Sequence, residues 1–163
     1  MSEVEAKEAG ALFYVMPSEL NIAEQVDPLL RGAVSAINES GWAYTAESCQ
    51  GHPDETDIAA AWGHNVQPFI RMALRLLHLG PVSALLLRAG LEAEDARIMG
   101  PVRFTLHLRE LRNRWVELIV YAEAHNVATR NRGCKALERF GVMLREGAHS
   151  PKIVQSSDLG DGK

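Results

Sequence analysis

The chain has 163 residues, a formal net charge of −4, 47% hydrophobic residues and 23% charged ones. These values fit one ordinary globular domain with room for a core. No stretch approaches the roughly 18 consecutive apolar residues of a membrane span; the most apolar one, Leu74 to Leu87, is broken by Arg75, His78, Gly80 and Pro81.

The N-terminus, MSEVEAKEAG, is acidic and lacks the apolar core of a signal peptide. A cytoplasmic protein is therefore expected, in a compartment that keeps Cys49 and Cys134 as thiols; two cysteines do not make a disulfide framework. Charge is unevenly distributed. Residues 1–60 carry Lys7 and Arg31 against eleven acidic residues, whereas residues 101–145 carry nine Arg or Lys against Glu110, Glu117, Glu123 and Glu138. Such asymmetry marks either solvated faces or an anionic partner at the basic end. Non-specific nucleic-acid binding is not expected, because it needs many Lys/Arg–phosphate contacts and the whole is mildly acidic.

In chain order, residues 1–10 read as a disordered tail, residues 11–146 as a single domain and residues 147–163 as a flexible tail. Ala11 to Met16 is a short apolar run stopped by Pro17, read as a strand. Ser18 to Val26 starts a helical segment. Asp27-Pro28 is a clearer helix start, with Asp as N-cap and Pro at the first helical position. Leu30, Ala33, Val34 and Ile37 recur at helical spacing, and Gly41 ends the helix.

Trp42 to Ser48 alternates and reads as a strand leading into the turn Glu47-Ser48-Cys49-Gln50-Gly51-His52-Pro53. Asp54 to His64 is a loop with one helical turn at Ile58 to Trp62. Phe69 to Leu74 is a strand, with Pro68 at its start or on an edge. Pro81 opens a helix striped by Val82, Leu85, Leu86 and Ala89 and stopped by Gly90. Val102 to Leu108 alternates most cleanly, and Trp115 to Tyr121 is its antiparallel partner across a polar turn. The last helix runs from Thr129 to Arg145, burying Cys134, Leu137, Gly141 and Leu144. The order β-α-β-β-α-β-β-α, with short turns, predicts an α+β fold: a mostly antiparallel sheet with about three helices on one face.

Chemistry concentrates in the cysteine turn. A thiolate is a nucleophile and a metal ligand once a nearby cation lowers its pKa. His52 lies three residues from Cys49 across Gly51, which permits a positive φ. Backbone N–H groups near Ser48, Gln50 and Gly51 can form a small anion nest. Cys49 and His52 are thus the candidate catalytic pair, with His64, Asp54 or Asp57 as further acid–base groups. The plain alternative is a buried thiol in an ordinary turn. Cys-x2-His is also half of a zinc site, but His64, His78, His107 and Cys134 form no second close pair, so no metal is assigned. No GxGxxG, Walker loop, HExxH or GxSxG occurs, and no cofactor is named by a motif.

A second surface is the polar face of the cleanest strand. Arg103, His107 and Arg109 project together there, followed by Arg112 and Arg114, and can hold a phosphorylated ligand; the alternative is a solvated outer face. Arg130, Arg132, Lys135 and Arg139 open the last helix, where cations oppose the helix dipole. Trp42, Trp62 and Trp115 read as core rather than as ligand platforms, with Trp62 in the loop after the cysteine turn.

The run Thr45-Ala-Glu-Ser-Cys49-Gln-Gly51-His52-Pro53, between a Gly-ended helix and an alternating strand, resembles small uncharacterised bacterial and phage proteins with a comparable Cys-x-Gly-His turn. It also distantly resembles the Ser-Ser-Cys-Ser-Gly-Arg turn of the tRNA methyltransferase of wybutosine synthesis. That second resemblance implies that Ser48, Cys49 and Gly51 line a ligand pocket, with His52 standing where that family has Arg.

The expected function is a small cytosolic domain that binds a ligand, nucleotide-like or phosphorylated, at Ser48 to His52, with Arg103, His107 and Arg109 in support. The alternatives are a cysteine-dependent or nucleic-acid-modifying enzyme, and a phage or bacterial accessory protein that binds a protein partner.

Overall fold

Four alternating stretches pair into one antiparallel sheet in the computed structural model, which describes residues 2–53 and 67–148. The strands are β1 (Ala43–Cys49), β2 (Phe69–Arg75), β3 (Phe104–Glu110) and β4 (Trp115–Ala122), in the spatial order β1-β2-β4-β3. The helices are α1 (Glu3–Glu8), α2 (Ile22–Gln25), α3 (Arg31–Ser40), α4 (Leu79–Leu91), α5 (Ala96–Met99) and α6 (Val127–Ala148). The chain is an α+β protein with an antiparallel sheet, as the alternation predicts. No described helix is long and apolar enough to cross a membrane.

Side chains of one parity make the core. Ile70, Met72 and Leu74 of β2 and Val116, Leu118 and Val120 of β4 meet Ile37 of α3, Leu86 of α4 and Leu137, Phe140 and Leu144 of α6. These helices therefore share one face of the sheet. Each such Leu or Phe, fully removed from water, contributes about 1.5–3 kcal/mol. A close helix contact is at Gly141: a Cβ there would lie 2.9 Å from the Ala33 carbonyl oxygen and 3.3 Å from the Ala36 Cβ. The absent side chain lets α6 rest against the α3 backbone.

The other face corrects two expectations. Residues 2–10, expected as part of a disordered tail, are not one: Glu3–Glu8 is a helix whose Ser2 hydroxyl accepts from the Glu5 N–H at 3.4 Å. Its acidic first turn complements the helix dipole, and Ala6 and Ala9 are buried with Ala73 and Trp115. Nor is Ala11 to Met16 a strand. This run crosses the outer sheet face instead of pairing at an edge, and it buries Ala11 while leaving Leu12 and Tyr14 exposed. Its apolarity covers the sheet rather than extending it.

A chain of charges crosses that same face. Glu47 of β1 pairs with Arg71 of β2 at 3.2 Å, Arg71 with Glu117 of β4 at 3.1 Å, and Glu117 with Arg109 of β3 at 3.0 Å. Arg71 and Glu117 are buried. Arg71 also donates to the Leu12 carbonyl at 3.3 Å, and its guanidinium lies 5.9 Å from the Tyr14 ring centre.

Boundaries shift for local reasons. Asp27 does not cap a helix with its side chain; Pro28–Leu30 is a 3-10 turn and α3 begins after it. Gly41 ends α3 in the left-handed region, with φ +71°. Pro81 sits inside the first turn of α4, which runs past Gly90 to Leu91. The hairpin between β3 and β4 places Asn113 and Arg114 at φ 55° and 60°, the pattern of a type I′ turn. The last helix is longer than expected at both ends. The expectations for Asp54 to His64, including Trp62 and His64, and for the C-terminal tail beyond residue 148 lie outside the described residues.

Two outcomes follow for stability. Gly141→Ala forces α6 off α3 and costs about 1–3 kcal/mol in urea denaturation; an unchanged midpoint would contradict this packing. His78 is buried and stacked on Trp42 with ring centres 4.0 Å apart, and burial pushes its pKa down, with a hydrogen bond from its ring to the Trp42 backbone acting the other way. The unfolded chain then takes up a proton at about pH 6.5 that the folded chain resists. Stability due to His78 is complete above that pH and declines as pH falls below it. His78→Phe keeps the stack, and should flatten the decline between about pH 6.5 and 5 in thermal melts.

Candidate functional site

The candidate site begins with an irregular strand. In β1 the pairing with β2 shifts between Thr45 and Glu47, so Ala46 is an extra residue in the ladder. The Asn38 carboxamide at the end of α3 pins this bulge, accepting from the Thr45 N–H at 2.8 Å and donating to the Thr45 hydroxyl at 2.9 Å. Strand pairing resumes at Glu47 and ends with Cys49 opposite Phe69.

The turn after Cys49 is tied from three directions. The Gln50 N–H donates to Asp27 Oδ2 at 2.9 Å, and the Gln50 side-chain oxygen accepts from the Leu29 N–H at 3.2 Å. The Gln50 carbonyl accepts from the Cys134 thiol of α6 at 3.6 Å. The Gly51 carbonyl accepts from the buried Arg130 guanidinium, also of α6, at 2.7 Å. The Gly51 N–H donates to Cys49 Sγ at 3.4 Å. Gly51 is buried and adopts φ +80°, a conformation that side chains oppose. The chain doubles back there and returns His52 toward Cys49.

The result is a convergence of three donors. A carboxylate oxygen of Asp27, Cys49 Sγ and a ring nitrogen of His52 lie within 4.8 Å of one another, all half-buried. Burial pushes the Cys49 thiol above its ordinary pKa; the Gly51 N–H works against this, and the Asp27 charge and its hydrogen bond to the thiol add to it. Burial pushes Cys134 up to about 12. Both sulfurs therefore keep their protons at neutral pH, the reverse of what a cysteine nucleophile needs.

A cavity of about 280 Å³ adjoins the turn. Val26 and Ser48, the chain neighbours of Asp27 and Cys49, line it together with Tyr14, Leu20, Val34 and Glu47. Among the described residues, no Lys, Arg or His lines it.

The structure brings Ser48, Cys49, Gln50, Gly51 and His52 together, but not the basic group. Arg103 precedes β3, while His107 and Arg109 lie on it. β3 is the opposite edge of the sheet from β1, three strand spacings or about 14 Å away. Arg109 is engaged by Glu117, and the His107 ring meets the edge of Tyr121 with centres 5.4 Å apart. Three cations of the last helix have structural partners: Arg130 at Gly51, Arg132 at the Gly100 carbonyl and Arg139 at Glu92, 2.8 Å away.

Sequence reasoning missed two residues of this site. Asp27 reads as a helix cap because Asp-Pro is a start signal, yet its carboxylate serves the turn 23 positions later. Arg130 reads as one of four cations that open the last helix against its dipole, with an anion or acidic partner expected nearby, yet it holds the Gly51 carbonyl. No protein-family model matches the chain, and neither a curated protein nor a solved structure matches it.

Arg130→Met leaves the buried Gly51 carbonyl without its donor. The expected loss is roughly 1.5–3 kcal/mol in urea denaturation, with faster hydrogen exchange at the Gln50 amide. Wild-type stability and exchange in this variant would show that the turn holds itself.

Proposed function

We propose that the protein is a small-molecule-binding domain whose site is the turn from Ser48 to His52, together with Asp27 and the adjoining cavity. The observation that carries this reading is the convergence of Asp27, Cys49 and His52 on a turn whose backbone is already satisfied by Asp27, Cys134 and Arg130. Such a turn is preorganised, so its side chains need little ordering when a ligand arrives. The cavity offers an apolar wall of Val26, Val34, Leu20 and Tyr14 and a polar end at Ser48 and Glu47. That combination suits a ligand with an apolar body and one polar head, which is how small-molecule sites are commonly built. The thiol held neutral by burial favours binding over nucleophilic catalysis. Among the described residues no cationic side chain lines the cavity, which moves the reading away from a phosphate held by arginine.

A thermal-shift screen of small metabolites against the full chain tests the reading. A ligand present at 100 times its Kd adds about 2.7 kcal/mol and raises Tm by several degrees. Ala46→Phe fills the cavity and should abolish the shift; His52→Ala should weaken binding about tenfold or more while circular dichroism stays that of the wild type. Ligands that bind all three proteins equally, or a library with no binder and no retained mass in native mass spectrometry, would overturn it.

A further inference from the structure

Resting on the reading of this turn as a binding site, we propose that Asp27, Cys49 and His52 hold one zinc-like divalent cation, with a fourth coordination position open. The three donors are the types that zinc takes, one oxygen, one sulfur and one nitrogen. They lie within 4.8 Å of one another. A tetrahedral ion with bonds of about 2.0–2.3 Å sets its ligand atoms roughly 3.3–3.8 Å apart. Side-chain rotation of about an ångström closes the difference, without moving the tied backbone.

The surroundings are those of a metal site. One oxygen of Asp27 is already fixed by the Gln50 N–H at 2.9 Å, and Cys49 Sγ already accepts the Gly51 N–H at 3.4 Å. Outer hydrogen bonds of this kind orient ligands and are part of what makes a site bind. Binding exchanges the Cys49 thiol proton for the ion: the sulfur–metal bond forms, the sulfur–hydrogen bond breaks, and one H⁺ leaves to solvent. The product is electrically balanced, because a carboxylate and a thiolate together neutralise a dication while His52 binds as the neutral imidazole.

Three protein ligands are one fewer than a closed structural site uses. Cys134 is not within the converging group; its thiol is turned to the Gln50 carbonyl at 3.6 Å. The remaining position takes water or the polar head of the small molecule.

The full chain, freed of metal with chelator, is titrated with Co²⁺ and then Zn²⁺. The expected result is one ion per chain and a thiolate-to-cobalt charge-transfer band that Zn²⁺ displaces. The band disappears in Cys49→Ala and persists in Cys134→Ala. Asp27→Asn and His52→Ala weaken Co²⁺ binding about tenfold or more, with unfolding midpoints measured on each to confirm that they are folded. Absence of the band in the folded wild type overturns the proposal, as does a band that follows Cys134 instead of Cys49. Repeating the metabolite screen on the chelator-treated protein separates the two readings: ligands that still bind without any cobalt band leave the small-molecule site standing and remove the metal alone.

Discussion

The buried bond from Arg130 to the Gly51 carbonyl joins residues 79 positions apart and sets the geometry of everything near the turn. A guanidinium in a mostly apolar layer is costly unless its donors are used. Here one arm is spent on the Gly51 carbonyl and another group on the neighbouring Asn131 side chain. Cys134, one helical turn on, adds a second contact to the same loop. The long last helix therefore does two jobs. Its apolar stripe builds the core with α3, and its first turns clamp the end of β1. Asp27 clamps the loop from the opposite direction in sequence, so the donors at positions 27, 49 and 52 are held by the fold and not by local turn chemistry.

The outer face of the sheet is organised on a different principle. There the strands are joined by alternating charges, Glu47, Arg71, Glu117 and Arg109, in the order of the strands themselves. Two of these pairs are direct cross-strand neighbours in register, and the middle one is diagonal. The buried members are satisfied by each other and by the Leu12 carbonyl. A charge removed from the middle would strand a buried partner, which is far more costly than the pair is worth. The N-terminal segment covers this ladder and the small apolar patch beside it, so the two faces have separate cores of unlike character.

Much of the fold is legible in the residues because the relevant signals are periodic. The alternation at Phe69 to Leu74 and at Val102 to Leu108, the helical stripe from Leu30 to Ile37 and the glycine at position 41 each state a local geometry that packing reinforces. The N-terminal helix was hidden for the opposite reason. Its buried face consists of Ala6 and Ala9, which carry too little apolar weight to stand out among glutamates. The apolar run after it has strand composition, yet composition does not say whether a segment pairs at an edge or lies over a face. The site divides in the same way. Cys49, Gly51 and His52 are visible as a cluster in sequence, whereas Asp27 and Arg130 join them only through contacts that no spacing encodes. The basic residues of β3 share a surface in the sequence pattern, but strand order puts them at the far edge of the sheet.

Among the described residues, that strand order leaves two unpaired edges, and they differ. β3 exposes nearly its whole length, with Leu106 and Leu108 on one side and His107 and Arg109 on the other. β1 is interrupted at Ala46 by its bulge. A bulged edge cannot template a straight neighbouring strand, because the spacing of its free N–H and C=O groups is broken midway. The same irregularity that shapes the wall of the cavity therefore guards the edge beside it against adding strands from other chains. Among the described residues, the regular edge open to β-sheet growth is that of β3, remote from the turn.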